Sequence, residues 1–272
     1  MISGIENLQF ELDVLAPAGR IGVIALATDF NIESDLNQLY PKDVQYFTSR
    51  VRNNNPLTIN NLRKMESGIT ACADTILPGT ELDVVIYACT SGTIAIGRER
   101  ITQLINQSRP NTAVTDPVTA ALLAFDSLQA KRISVLTPYT EAVNQDVAKF
   151  FTSQGIEVVS IAGFGFEDDT AMTFISLEDI KQTALKVCAP DADLLFISCT
   201  ALRAASAIEL IESQLGKPVL SSNQVLAWHS LQLMNYPSPI KGFGVLLEQC
   251  LPLVRHQPNE SLSENSRKEG SH

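Results

Sequence analysis

The chain is short of histidine: His229, His256 and His272 are the only three in 272 residues. Its five cysteines, Cys72, Cys89, Cys188, Cys199 and Cys250, include no Cys-x-x-Cys pair. Structural zinc needs close clusters of Cys and His, so such a centre is excluded. An odd cysteine count without close spacing also argues against a secreted disulfide scaffold. No apolar run is long enough to span a bilayer. The N-terminus lacks a basic-then-apolar leader, so the expected compartment is the cytoplasm. Positive charge is scarce: 20 Lys and Arg face 30 Asp and Glu, for a net charge of −10 at pH 7. Nucleic acids and anionic membranes attract basic surfaces, so neither is an expected partner. An anionic ligand would have to be held by local donors and not by the global field. No G-x-G-x-x-G stretch opens a helix, and there is no phosphate loop. Residues 163–170, GFGFEDDT, read as a loop rich in Gly and acid. No metal and no cofactor are expected.

What is present is a core. Hydrophobic residues make up 45% of the chain, enough for one large domain or two ordinary ones. The organising stretch is residues 82–97, LDVVIYACTSGTIAIG. Its short β-branched run reads as a strand buried on both faces. Cys89, Thr90, Ser91, Gly92 and Thr93 then lead into a helical pattern over 93–108. Ligands of open α/β sheets bind at the carboxyl ends of strands, where this cluster falls. A helix N-terminus beside Cys89 would favour a thiolate or hold a substrate carboxylate, so an exposed Cys89 of lowered pKa is expected.

A second copy of the design sharpens this reading. LLFISCT, at 194–200, is again an apolar strand followed by Cys199 and Thr200, with a helix expected over 201–210. RIGVIAL at Arg20 answers RISVLTP at Arg132, and AVTDPVTAAL at Ala113 answers PVLSSNQVLA at Pro218. Three strand-to-helix units therefore recur in one order at nearly one spacing, a two-copy repeat. The predicted fold is α/β, with two pseudo-symmetric parallel-sheet, Rossmann-like lobes and the active site in the cleft between them.

Along the chain, strands are expected at 20–27, 44–51, 84–86, 113–115, 133–136, 156–161, 194–198 and 218–220. Helices are expected at 33–40, 60–77, from Asp116–Pro117 to 128, from after Tyr139 to 154, 177–188, 201–215 and 222–233. A last element is expected at 242–253. Asp before Pro is a strong helix start. Three asparagines, Asn53 to Asn55, mark a loop. Residues 255–272 are polar without apolar periodicity and read as a disordered tail.

Several candidates carry two readings. Asp29 is either a helix cap or a cleft residue, and Tyr139 packs a turn or touches substrate. His229 in a helix reads as structural. Arg50, Arg52, Asp168 and Asp169 read as solvated, and Cys72, Cys188 and Cys250 as packing.

With RIGVIALATDFNIE, TSRVRNNN, LDVVIYACTSGT, RISVLTPYTEAVN, LLFISCTAL and PVLSSNQVLAWHSL in view, the chain resembles the Asp/Glu racemase superfamily. Within it, the chain is similar to the branch of maleate cis-trans isomerases and arylmalonate decarboxylases, and most of all to ectoine-utilisation proteins. The resemblance spans about residues 20–253. It implies a cofactor-free enzyme with an N-terminal lobe of residues 1–115 plus 222–254, and residues 116–221 as the second lobe. In the isomerases one cysteine attacks a double bond and the other is the acid; the matching positions are Cys89 and Cys199. Thr90, Ser91 and Tyr139 would bind a carboxylate, with Thr200 beside Cys199. Asp29 and Thr170 stand where those isomerases carry substrate-contacting asparagines.

Three functions follow as expectations. The first is a cofactor-independent isomerase or racemase using both cysteines on a small carboxylate or amino acid. The others are an arylmalonate-type decarboxylase and a non-catalytic binding protein. The resemblance also implies that arylmalonate decarboxylases keep only one of the two cysteines, which disfavours decarboxylation. Homo-oligomerisation is left open. Asp29 bears on the substrate: two like charges about 4 Å apart cost on the order of 4 kcal/mol at an effective dielectric of 20. A dicarboxylate is thus a poor match, and a substrate ammonium a good one.

Overall fold

The computed structural model describes residues 11–251. The first half is built on β1 (Gly19–Leu26), α1 (Ile32–Leu39), β2 (Val44–Val51), α2 (Ile59–Arg63), α3 (Glu66–Thr75), β3 (Val84–Ala88), α4 (Thr90–Ile96), α5 (Arg98–Asn106) and β4 (Ala113–Thr115). Then come α6 (Pro117–Ser127), β5 (Arg132–Tyr139), α7 (Glu141–Ser153), β6 (Glu157–Phe166), α8 (Asp169–Met172), α9 (Leu177–Val187) and β7 (Leu194–Ile197). A 3-10 turn at Ala205–Ala207, α10 (Ile208–Leu215), β8 (Val219–Ser221), α11 (Ser222–Leu233) and α12 (Val245–Gln249) complete the described chain.

The strands form two parallel sheets of four, in the orders β2-β1-β3-β4 and β6-β5-β7-β8. The two orders are the same path, so the duplication seen in sequence is a duplication of topology. All five residues of β3 and all four of β7 are buried, as expected for parallel strands covered on both faces. Asp116 caps α6 by accepting the N–H groups of Val118 and Thr119, both at 2.9 Å. Ser221 caps α11 in a reciprocal box with Gln224.

The helices after the last strand of each sheet cross over. Phe125 of α6 meets Phe196 of β7 edge-on, with ring centroids 5.5 Å apart. In return α11 packs on α1, β3 and β4 as well as on α6. On this packing we propose the lobe division that the resemblance implies, with 116–221 as the second lobe and 222 onward returned to the first. The tail 255–272 and residues 1–10 lie outside the described residues. Among the described residues no helix is long and apolar enough to cross a membrane.

Four local expectations change. The helix expected over 93–108 is broken at Gly97, whose φ of 99° is a conformation that glycine adopts at little cost. The helix over 60–77 is two helices, α2 and α3, yet Leu62, Met65, Ile69, Ala73 and Ile76 all stay buried, which preserves the apolar period. Residues 201–204 are not helical; regular structure resumes only at Ala205. The Gly-rich stretch from 163 is strand and not loop, because β6 runs on to Phe166. A Cβ on Gly163 would sit 2.2 Å from the Tyr139 carbonyl oxygen, so that glycine serves close strand packing.

Candidate active site

The carboxyl ends of four strands converge on one cavity. β1 delivers Leu26, Thr28 and Asp29, and β3 delivers Cys89, Thr90 and Ser91. From the other sheet come Tyr139 at the end of β5, and Cys199, Thr200 and Ala201 after β7; Asp169 of α8 completes the wall. The cavity measures about 10 Å³, room for roughly one water molecule. It is closed by contacts between the lobes. The Asn31 amide donates to the carbonyls of Thr173 at 3.0 Å and Ala201 at 2.5 Å. The Leu57 N–H donates to the Glu167 carbonyl at 2.8 Å, and the exposed rings of Phe30 and Phe174 pack 5.6 Å apart.

Cys89 caps α4, and its Sγ accepts the Gly92 N–H at 3.2 Å. Ser91 Oγ lies 3.8 Å from the same sulfur. Glycine is required at position 92, since a Cβ there would lie 2.6 Å from the Tyr87 hydroxyl and 2.9 Å from the Cys89 sulfur. The thiol is buried, contrary to the exposed thiol expected from the sequence. Burial first, and then neighbouring Asp169, push its pKa up to about 12 against the opposing Gly92 N–H. The expectation of a lowered pKa is therefore overturned for the resting protein. Burial also pushes the Cys199 thiol up, against the Tyr139 hydroxyl beside it. Tyr139 is itself buried and raised, first by desolvation and then by both cysteines. Tyr139 lines the cavity as well as ending β5.

Ser222, the first residue of α11, ties the two cysteine loops together. Its Oγ accepts the Cys199 N–H at 3.0 Å and lies 3.0 Å from Thr90 Oγ1. The Thr200 hydroxyl donates to the Ala88 carbonyl at 3.3 Å, a second stitch between the loops. Nothing in the sequence singled out Ser222, because a serine in the first turn of a helix, next to the Ser221 cap, is unremarkable.

Asp29 caps α1 and also lines the cavity. Its Oδ1 accepts the N–H groups of Asn31 at 2.8 Å and Ile32 at 2.9 Å, capping α1. Its Oδ2 is buried and has no partner. Desolvation raises its pKa against those two N–H groups, the Thr200 side chain and the charge of Arg50. Asp169, expected to be solvated, is buried instead. Asn53 donates to its Oδ2 at 2.6 Å and to Thr28 Oγ1 at 2.9 Å, while Asn55 Oδ1 accepts its N–H at 3.1 Å. The asparagine run read as a loop marker is thus the scaffold of the site. Burial lifts Asp169 to a pKa of about 6, with the Asn53 amide opposing and Asp29 adding to the rise.

Thr170 does not line the cavity. Asp168 caps α8 by accepting the N–H groups of Thr170 and Ala171, and this register turns Asp169 inward one position earlier. Asp168 is therefore a cap and not merely solvated. Arg50 is also not simply solvated. Its guanidinium donates to the carbonyls of Leu26 at 3.1 Å and Asp29 at 2.7 Å and pairs with Glu33, clamping the loop behind Asp29. His229 is structural as expected: Nδ1 lies 2.7 Å from Thr115 Oγ1, and burial lowers its pKa to about 4. Cys72, Cys188 and Cys250 pack against the core.

Two matching parallel sheets, each placing a Cys-Thr loop at one shared cavity, define a class of pseudo-symmetric α/β proteins with paired cysteines. Residues 21–247 match the arylmalonate decarboxylase family model (Amdase), and the chain belongs to that family. The chain is 23% identical over 244 residues to the maleate isomerase of Geobacillus stearothermophilus, covering 84% of this chain and 96% of that one. It is 25% identical over 176 residues to the arylmalonate decarboxylase of Bordetella bronchiseptica, covering 64% and 70%. Its fold matches a mutant of the Nocardia farcinica maleate cis-trans isomerase, solved with a covalently bound succinylcysteine intermediate. That match has a TM-score of 0.78 at 20% identity, over 85% of this chain and 98% of the other.

Proposed function

We propose that the chain is a cofactor-independent isomerase or racemase of a small carboxylate, working through Cys89 and Cys199. The observation that carries this reading is that the two thiols, one from each lobe, line a single cavity. Succinylcysteine in the Nocardia relative supports a covalent role for cysteine in this fold. The hydroxyls of Thr90, Ser91 and Tyr139 and the loop at Thr200 hold the carboxylate.

Two neutral thiols suit paired proton chemistry. One thiol gives up its proton, to Asp29 or Asp169, the carboxylates within the cavity. The Gly92 N–H, already aimed at Sγ, stabilises a thiolate on Cys89 once it forms. In racemisation this thiolate takes the proton from the substrate carbon, and the Cys199 S–H delivers one to the other face. In cis-trans isomerisation it adds to one carbon of the double bond while Cys199 protonates the next. The new single bond rotates, Cys199 recovers the proton, and the sulfur leaves. Entry of any such substrate requires the lobe contacts at Asn31, Leu57 and Phe30 to open, because the resting cavity is too small for it.

Decarboxylation is the second reading, favoured by the family model and by the Bordetella relative. Proton NMR in deuterated buffer tests both, using a panel of small unsaturated dicarboxylates, arylmalonates and amino acids with no cofactor added. The proposal expects deuterium at a substrate carbon or conversion to the geometric isomer. Release of carbon dioxide would transfer the reading to decarboxylation, and an inert panel would leave neither reading standing.

A further inference from the structure

We propose that the ligand of this cavity carries an ammonium group as well as a carboxylate, with the ammonium seated at Asp29 and Asp169. The inference rests on the reading above that the cavity is the substrate site, and it names the chemical class of that substrate. Asp29 is 4% exposed and lines the cavity. Its Oδ1 is consumed by the two N–H groups of α1, which leaves Oδ2 buried and without a partner. A buried carboxylate oxygen with an unused acceptor position calls for a donor, and a charged donor satisfies it best. Asp169, on the opposite lobe, lines the same cavity and interacts electrostatically with Asp29.

Arg50 acts on Asp29 electrostatically but does not line the cavity. Among the described residues lining the cavity, none is Lys, Arg or His. The nearby guanidinium of Arg50 is occupied by the carbonyls of Leu26 and Asp29 and by Glu33, behind the loop. The lining presents two carboxylates that act on each other electrostatically, together with the hydroxyls of Thr90, Ser91 and Tyr139 as neutral donors. A zwitterion laid across it puts its carboxylate among the hydroxyls and its ammonium between the aspartates. A dicarboxylate in the same pose sets a second anion against both.

The test is calorimetric titration of the full chain at about pH 8, above the ordinary carboxyl range, with β-alanine and with succinate. The two probes share a backbone length, and an ammonium in one replaces a carboxylate in the other. Wild type should bind β-alanine at least tenfold more tightly than succinate. Asp29→Asn keeps an oxygen for the N–H groups of Asn31 and Ile32, so it should fold normally, and its preference should reverse. Asp169→Asn should weaken β-alanine and tighten succinate, because it removes one of the two charges that oppose the second carboxylate. Equal or tighter binding of succinate by wild type would overturn the proposal. So would an unchanged preference in Asp29→Asn, or no β-alanine binding at tens of millimolar. None of these results decides whether Cys89 and Cys199 are needed for turnover, which variants of those residues answer separately.

Discussion

Thr90 and Ser222 stand 132 residues apart in sequence and bring their hydroxyl oxygens to 3.0 Å. The same Ser222 oxygen accepts the N–H of Cys199, so one side chain sets the spacing of both cysteine loops. Ser222→Ala strands a buried N–H and a buried hydroxyl. The expected cost is about 1–3 kcal/mol by urea unfolding. Turnover should fall more than tenfold in protein that is still folded. Unchanged activity would mean that the loops hold their spacing without this bridge.

Gly92 makes a second, independent prediction. Gly92→Ala places a methyl 2.9 Å from the Cys89 sulfur and 2.6 Å from the Tyr87 hydroxyl. Overpacking of this kind costs about 1–3 kcal/mol. The chief expected effect is on chemistry, because the N–H that supports Sγ must shift with the helix. A variant of wild-type turnover and stability would show that the α4 N-terminus has slack that this geometry denies.

The pH dependence of stability isolates Asp169. Its carboxyl rises from 3.8 to about 6 on folding, so the folded chain holds that proton more tightly than the unfolded chain. The contribution is fully present below pH 3.8 and is lost as pH climbs towards 6. Asp169→Asn should therefore be more stable than wild type above that window, by on the order of 1 kcal/mol, and the advantage should vanish near its lower edge. His229, lowered to about 4, has the opposite sign but is common to both proteins and cancels in the difference. Urea midpoints at the two ends of the window measure it. An advantage that grows on acidification would contradict the assignment.

Much of this arrangement is legible in the sequence, and the reasons are physical. Buried parallel strands write themselves as unbroken apolar runs such as VVIYA and LLFI, and the Asp116–Pro117 pair announces α6. The doubled Cys-Thr loops point to a cleft because both follow such runs. What the sequence hides is whatever depends on the two lobes meeting. Asp169 looks like a surface acid until Asn53 and Asn55 of the other lobe close over it. Ser222 looks like an ordinary first-turn helix residue until Thr90 arrives. Gly163 and Gly165 look like loop residues, yet both lie in β6, and it is the nearby Tyr139 carbonyl that requires glycine at 163. The expected pKa of Cys89 failed for the same reason: helix geometry was visible, but burial was not, and burial dominates.

The central claim is that Cys89 and Cys199 act as a pair on one substrate carbon or double bond. Its most direct test is steady-state kinetics of Cys89→Ser, Cys199→Ser and the double variant, on whichever substrate the NMR panel identifies, with circular dichroism to confirm folding. Groups that act as a unit are not additive, so each single variant should lose essentially all turnover and the double variant should lose no more. A single variant that retains full activity would contradict the paired-thiol account.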